Sequence, residues 1–157
     1  MKISEFLNPK AVSADLKSTT KPDVIVELVN LLIEAGVFEK KNRNKVIEVL
    51  MAREALGSTA IGQSIAIPHG KCECVKKLVG CLAISKKGIN FDSLDGEPAF
   101  IFFLLLAPVD SAGPHLKALA RISRLLKDKY FRENLKTAKD EKAILKLIQQ
   151  EDGRVLP

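Results

Sequence analysis

The chain has 157 residues, of which 46% are hydrophobic and 28% charged, with a formal net charge of +6. That size suits one globular domain over residues 1–157 with a real core, and the composition excludes a disordered or low-complexity chain. No stretch reaches the roughly 20 apolar residues of a membrane helix, MKISEFLNPK lacks the apolar centre of a signal peptide, and three crowded cysteines make no disulfide framework. A cytoplasmic protein is expected. The basic excess lies in the C-terminal third, where Asp128, Glu133, Asp140 and Glu141 interrupt it, as on solvated helix faces. One tyrosine and no tryptophan leave little to stack on bases, so no nucleic-acid partner is expected, while an acidic protein partner stays open.

In chain order, KPDVIVELVNLLIEAG has helical spacing through Ile25, Leu28, Leu32 and Ala35, with Pro22 in the first turn and Gly36 as terminator. NKVIEVLMAREALG predicts a second helix, capped by Asn42 or Asn44 and ended by Gly57. Two helices thus precede the first strands. The period then changes to short apolar runs, SIAIPH, LVGCLAIS, GINFDS and AFIFFLLLA, with Asp95-Gly96 turning between the last two. AFIFFLLLA is apolar on both faces, so it belongs at the centre of a sheet covered on both sides. PHLKALARISRLLKDKY returns to helical spacing through Leu116, Leu119, Ile122 and Leu126. DEKAILKLIQQEDG closes the chain with Asp140 as cap and Gly153 as stop. Helices, strands, helices: the fold expected is a layered α/β sandwich with a mixed sheet.

Two motifs imitate known sites. GSTAIGQS (57–64) nearly spells a phosphate-binding P-loop, but Gln63 stands where the lysine must be, and the segment runs from helix to strand, the reverse of what that loop requires. His69, Cys72 and Cys74 form an H-x-x-C-x-C cluster without a matching second ligand pair, so no metal is expected. The closeness of Cys and His in sequence also leaves a cysteine nucleophile to be considered.

The two histidines occupy similar corners. Pro68 stiffens the approach to His69, and Gly70 leaves its ring without a bulky neighbour, so the imidazole should project from a strand end. Pro114 in the first helical position would put His115 in the first turn, where free N–H groups and the helix dipole favour an anion. A histidine there either donates to a phosphate or is merely tolerated near a helix start. Arg53 falls beside the apolar stripe of the second helix, and either a carboxylate such as Glu54 or a phosphoryl group would satisfy it. Together these three residues suit phosphoryl transfer through a phosphohistidine, with a nucleophilic imidazole, a guanidinium grip and fixed helix donors. Ser58 and Thr59 stand at the edge of this set. Such chemistry requires no cofactor.

AREALGSTAIGQSIAIPHGK, followed in order by INFDSLDGEP, FLLLAPVD and PHLKALARISRLL, strongly resembles the fructose/mannitol-type enzyme IIA domain of the bacterial phosphoenolpyruvate:sugar phosphotransferase system. The resemblance spans nearly the whole chain and departs from the pattern at Ala60, where glycine is common, and at Cys72 and Cys74. It implies a mixed sheet flanked by helices on both sides. It implies further that His69 takes a phosphoryl group from the phosphocarrier protein HPr and passes it to an enzyme IIB component, with His115 and Arg53 stabilising it. A membrane would then be met only indirectly, through a permease. A nitrogen-regulatory branch of the same family, in which the phosphorylation state controls partner proteins, fits the same residues.

Overall fold

Six strands form one mixed sheet in a computed structural model of the chain, in which residues 1–155 are described. They are β1 (Leu7–Ser13), β2 (Ala60–Gly62), β3 (Ile65–Ala66), β4 (His69–Lys71), β5 (Val79–Ile89) and β6 (Ala99–Ala107). The order across the sheet is β1-β5-β6-β3-β2, with β4 also paired to β6. β6 is therefore central, as its unbroken apolar run requires. Its side chains alternate between two cores. Phe102, Leu104 and Leu106 pack with α1 (Lys21–Glu34) and α2 (Arg43–Ala55), whereas Ile101, Phe103 and Leu105 pack with α3 (Ala112–Leu125), α4 (Lys129–Lys136) and α5 (Glu141–Arg154). The layered α/β sandwich expected from the sequence is the architecture found.

Several boundaries differ from expectation, each for a local reason. A strand precedes the first α-helix: β1 follows a short 3-10 turn at Ile3–Glu5 and runs parallel to β5 at the sheet edge, where Pro9 and Lys10 interrupt the apolar run without harm because an edge position tolerates a missing N–H. GINFDS is no separate strand. β5 absorbs Gly88 and Ile89 after an irregular register, and the chain then leaves the sheet through Asp92, whose φ is +56°. The helix expected after Pro114 is two, because Asp128 accepts from the N–H groups of Tyr130 and Phe131 and so starts α4 anew. Leu116, placed on the apolar face from its spacing, is 66% exposed. Asp140 caps α5 as expected, but Gly153 lies inside that helix instead of ending it.

β3 and β4 are one line broken by Pro68. Ile65 pairs with Ile101 and His69 with Leu105, the same register offset, and the Pro68 carbonyl still accepts from Leu105 N–H at 2.9 Å. Proline removes one donor and leaves the ladder otherwise continuous. In a parallel pair, residues in register share a face, so His69 turns with Leu105 toward the α3 layer and Gly70 with Leu106 toward the α2 layer. A Cβ on Gly70 would meet Val49 Cγ1 at 2.7 Å, so α2 sits directly on the strand that carries His69. Gly70→Ala should therefore destabilise the fold by about 1–3 kcal/mol, the usual cost of overpacking, as read from the urea unfolding midpoint.

Candidate functional site

Ile67 and Pro68 are buried, so the corner holding His69 is fixed on the core side while its ring is only half-buried. Nδ1 of that ring lies 2.8 Å from the Ile67 carbonyl oxygen. A carbonyl only accepts, so Nδ1 carries the proton and Nε2 keeps its lone pair. The tautomer thus follows from a backbone contact two residues away.

His115 comes from the other side. α3 begins at Ala112, two residues earlier than the proline suggested, so Pro114 is third and His115 fourth in the helix. Its backbone N–H is consequently spent on Ser111 O at 3.2 Å, and the helix start contributes fewer free donors than expected. What His115 offers is its side chain. The ring centroids of His69 and His115 are 5.3 Å apart with a 57° tilt, yet His115 is only 7% exposed and its Nδ1 is buried without a hydrogen-bond partner. Leaving a buried polar atom unpaired is costly.

Burial, then the nearby charges of His69 and Lys71, hold the His115 pKa below its usual value near 6.5. The ring is neutral in the folded protein around neutral pH. Unfolding restores the ordinary value, so between the two values the unfolded chain binds a proton that the folded chain refuses. This contribution to stability is complete above about pH 6.5 and is lost as the pH falls through the folded value. His115→Gln should accordingly flatten the fall of the urea midpoint as the pH drops below about 6.5, and an unchanged slope would show that His115 does not contribute to it.

Arg53 lies one turn beyond Val49 on the face of α2 that rests on Gly70, and its Nη1 donates to the Gly57 carbonyl at 2.8 Å. Among the described residues no carboxylate pairs with it. The competing pairing with Glu54 is not formed, because Glu54 points inward, where it accepts from Lys21 Nζ at 3.1 Å, Thr59 N–H at 3.1 Å and the Thr59 hydroxyl. The structure thus brings His69 and His115 together, while among the described residues no hydrogen bond or ring contact joins Arg53 to either. Thr59 is buried on Glu54 and Ser58 Oγ donates to Phe91 O at 2.5 Å, so both hydroxyls are committed within the protein. Sequence reasoning passed over Lys71 and the Glu54–Lys21 pair. The lysine directly after Pro-His-Gly was a visible signal, whereas the pairing of residues 21 and 54 required the fold. Among the described residues, no group of three or more His, Cys, Asp or Glu is placed to hold a metal ion, and no helix is long and apolar enough to cross a membrane.

The two-core α/β sandwich is a fold shared with proteins already known. The profile of the family described as "Phosphoenolpyruvate-dependent sugar phosphotransferase system, EIIA 2" matches residues 5–151, and the chain belongs to that family. It is 40% identical over 148 residues to the nitrogen regulatory protein of Bradyrhizobium diazoefficiens, covering 94% of this chain and 95% of that one. It is 38% identical over 152 residues to the fructose-specific EIIABC component of Bacillus subtilis, covering 97% of this chain but 24% of that protein. The crystal structure of the nitrogen regulatory protein IIA-Ntr from Neisseria meningitidis matches with a TM-score of 0.83 at 32% identity, over 93% of this chain and 98% of that chain.

Proposed function

We propose that this chain is a phosphoryl relay in which Nε2 of His69 accepts a phosphoryl group from phospho-HPr and passes it to an enzyme IIB component. The observation that carries this reading is the 2.8 Å contact between His69 Nδ1 and Ile67 O, which leaves Nε2 as the nucleophilic nitrogen. As the N–P bond to His69 forms, the N–P bond of the donor breaks, and negative charge spreads over three equatorial oxygens. The His115 ring, 5.3 Å from that of His69 between centroids, supplies a donor to one of them, and the donors of Arg53 that Gly57 does not occupy grip another. Lys71 adds positive charge beside the site. Exposed Leu56, Val109 and Leu116 adjoin Arg53 and His115 in the chain, and apolar side chains of that kind suit docking of a protein donor and acceptor.

The test is incubation with phosphoenolpyruvate, enzyme I and HPr. One acid-labile phosphoryl group per chain is expected, carried on His69 Nε2 by NMR of the imidazole, and a chain that takes up no label would end the proposal. His115→Ala should fold and still be labelled, but about 10²–10³-fold more slowly, the usual loss for one oxyanion donor; an unchanged rate in stopped-flow transfer would remove His115 from the site.

A second reading rests on the 40% identity to the Bradyrhizobium nitrogen regulatory protein, set beside 38% to the Bacillus fructose-specific protein. In it the chemistry at His69 is the same, and the added charge releases or recruits a regulated partner instead of feeding a permease. Onward transfer to a IIB component supports the relay. Capture of a partner by only one phosphorylation state, without such transfer, supports regulation.

A further inference from the structure

Immediately after β4 the chain carries two cysteines that the phosphoryl site does not use. We propose that Cys72 and Cys74 form a reversible dithiol–disulfide site whose oxidant is a low-molecular-weight disulfide. The proposal does not depend on the phosphoryl-transfer reading.

The backbone brings the two sulfurs together. Cys72 N–H donates to Ala107 O at 2.9 Å, which extends the β4–β6 ladder by one residue and fixes Cys72 on the sheet. The chain then bends back, so that Cys74 N–H points at Cys72 Sγ at 3.4 Å. The two Sγ atoms are 2.7 Å apart, closer than unbonded sulfurs normally sit, and a bond of about 2.05 Å requires less than 1 Å of further approach. Both thiols are free. The third cysteine is no competitor, since Cys81 is buried with its thiol directed at Leu28 O.

Exposure sets the order of events. Cys72 is 3% exposed and Cys74 half-buried, so an external disulfide meets Cys74 first. The Cys74 thiolate attacks one sulfur of RSSR, a Cys74–SR bond forms, and RS⁻ leaves to take up the proton that Cys74 gave up. Cys72 then loses its proton and attacks the Cys74 sulfur, which forms the internal disulfide and expels the second RSH. Two cysteine thiols are oxidised by two electrons, and one external disulfide is reduced to two thiols. Burial first, then the Cys72 thiol, pushes the Cys74 thiol up to about 12, so the reaction is slow at neutral pH and climbs about tenfold for each pH unit above it.

The experiment treats the reduced full chain with oxidised glutathione under native conditions. Titration of thiols after denaturation should find one of three remaining, and trypsin, cutting after Lys71 and Lys76, should release Cys72–Lys76 lighter by two hydrogens. Dithiothreitol should restore both thiols. Cys72→Ser should halt at a glutathione adduct on Cys74, while Cys81→Ala should behave as the parent. Three thiols surviving in the folded parent chain, or a lasting glutathione adduct on its Cys74, would overturn the proposal, and that reading needs no variant to fold.

Discussion

His69→Ala is expected to abolish phosphoryl uptake from HPr while leaving the fold in place. The ring is half-buried at a strand end, and its hydrogen bond to Ile67 O is worth about 1 kcal/mol, so circular dichroism and the unfolding midpoint should move little. The chemical loss is of a different order, because the covalent carrier itself is gone. His115 is the other imidazole of the chain and stands 5.3 Å away between centroids, yet it cannot substitute: it is 7% exposed, and its unpaired nitrogen is buried, out of reach of an in-line donor. Labelling with phosphoenolpyruvate, enzyme I and HPr should therefore fall below detection. Acid-labile label persisting in His69→Ala would refute the assignment.

The largest stability effect is expected where the N-terminal turn is tied to α5 and α3. Asp152, on α5, accepts from the backbone N–H groups of Ile3 and Ser4 at 3.0 and 3.1 Å and from Arg121 Nη2 at 2.9 Å. Both side chains of the ion pair are about 5% exposed or less. Asp152→Ala would take a carboxylate away from the buried Arg121 guanidinium, which keeps its bonds to the carbonyls of residues 152 and 155, and two backbone donors would lose their acceptor. Removing one member of a buried pair costs about 3–5 kcal/mol, a large share of the stability of a domain this size. Replacing both members with apolar residues, as in Arg121→Met with Asp152→Leu, should recover much of it. Urea unfolding of the two variants provides the comparison, and a loss under about 1 kcal/mol for Asp152→Ala would show that the pair adds little. Labelling of His69 in the still-folded single variant should be unchanged.

How much was legible in advance depends on where the determining contact lies. The central strand was legible because AFIFFLLLA is apolar at every position, a pattern only a strand covered on both faces satisfies. The first two helices were legible because Gly36 and Gly57 stop them locally, each with positive φ. β1 was not, because its stability comes from β5, seventy residues away in sequence, and its own residues include Pro9. The break between α3 and α4 could have been read from Asp128, a capping residue inside an otherwise helical pattern.

The candidate site divides in the same way. The sequence by itself determined that His69 would sit on a stiff, sterically open corner, since Pro68 and Gly70 act through local torsions and local bulk. Only the tertiary structure decided which nitrogen of His69 is free, that His115 faces it from the opposite layer, and that Glu54 turns away from Arg53 toward Lys21 and Thr59. Torsions and caps are set by neighbours in the chain, whereas proton positions, ring pairings and buried charges are set by whatever the fold places alongside, and no local rule carries that information.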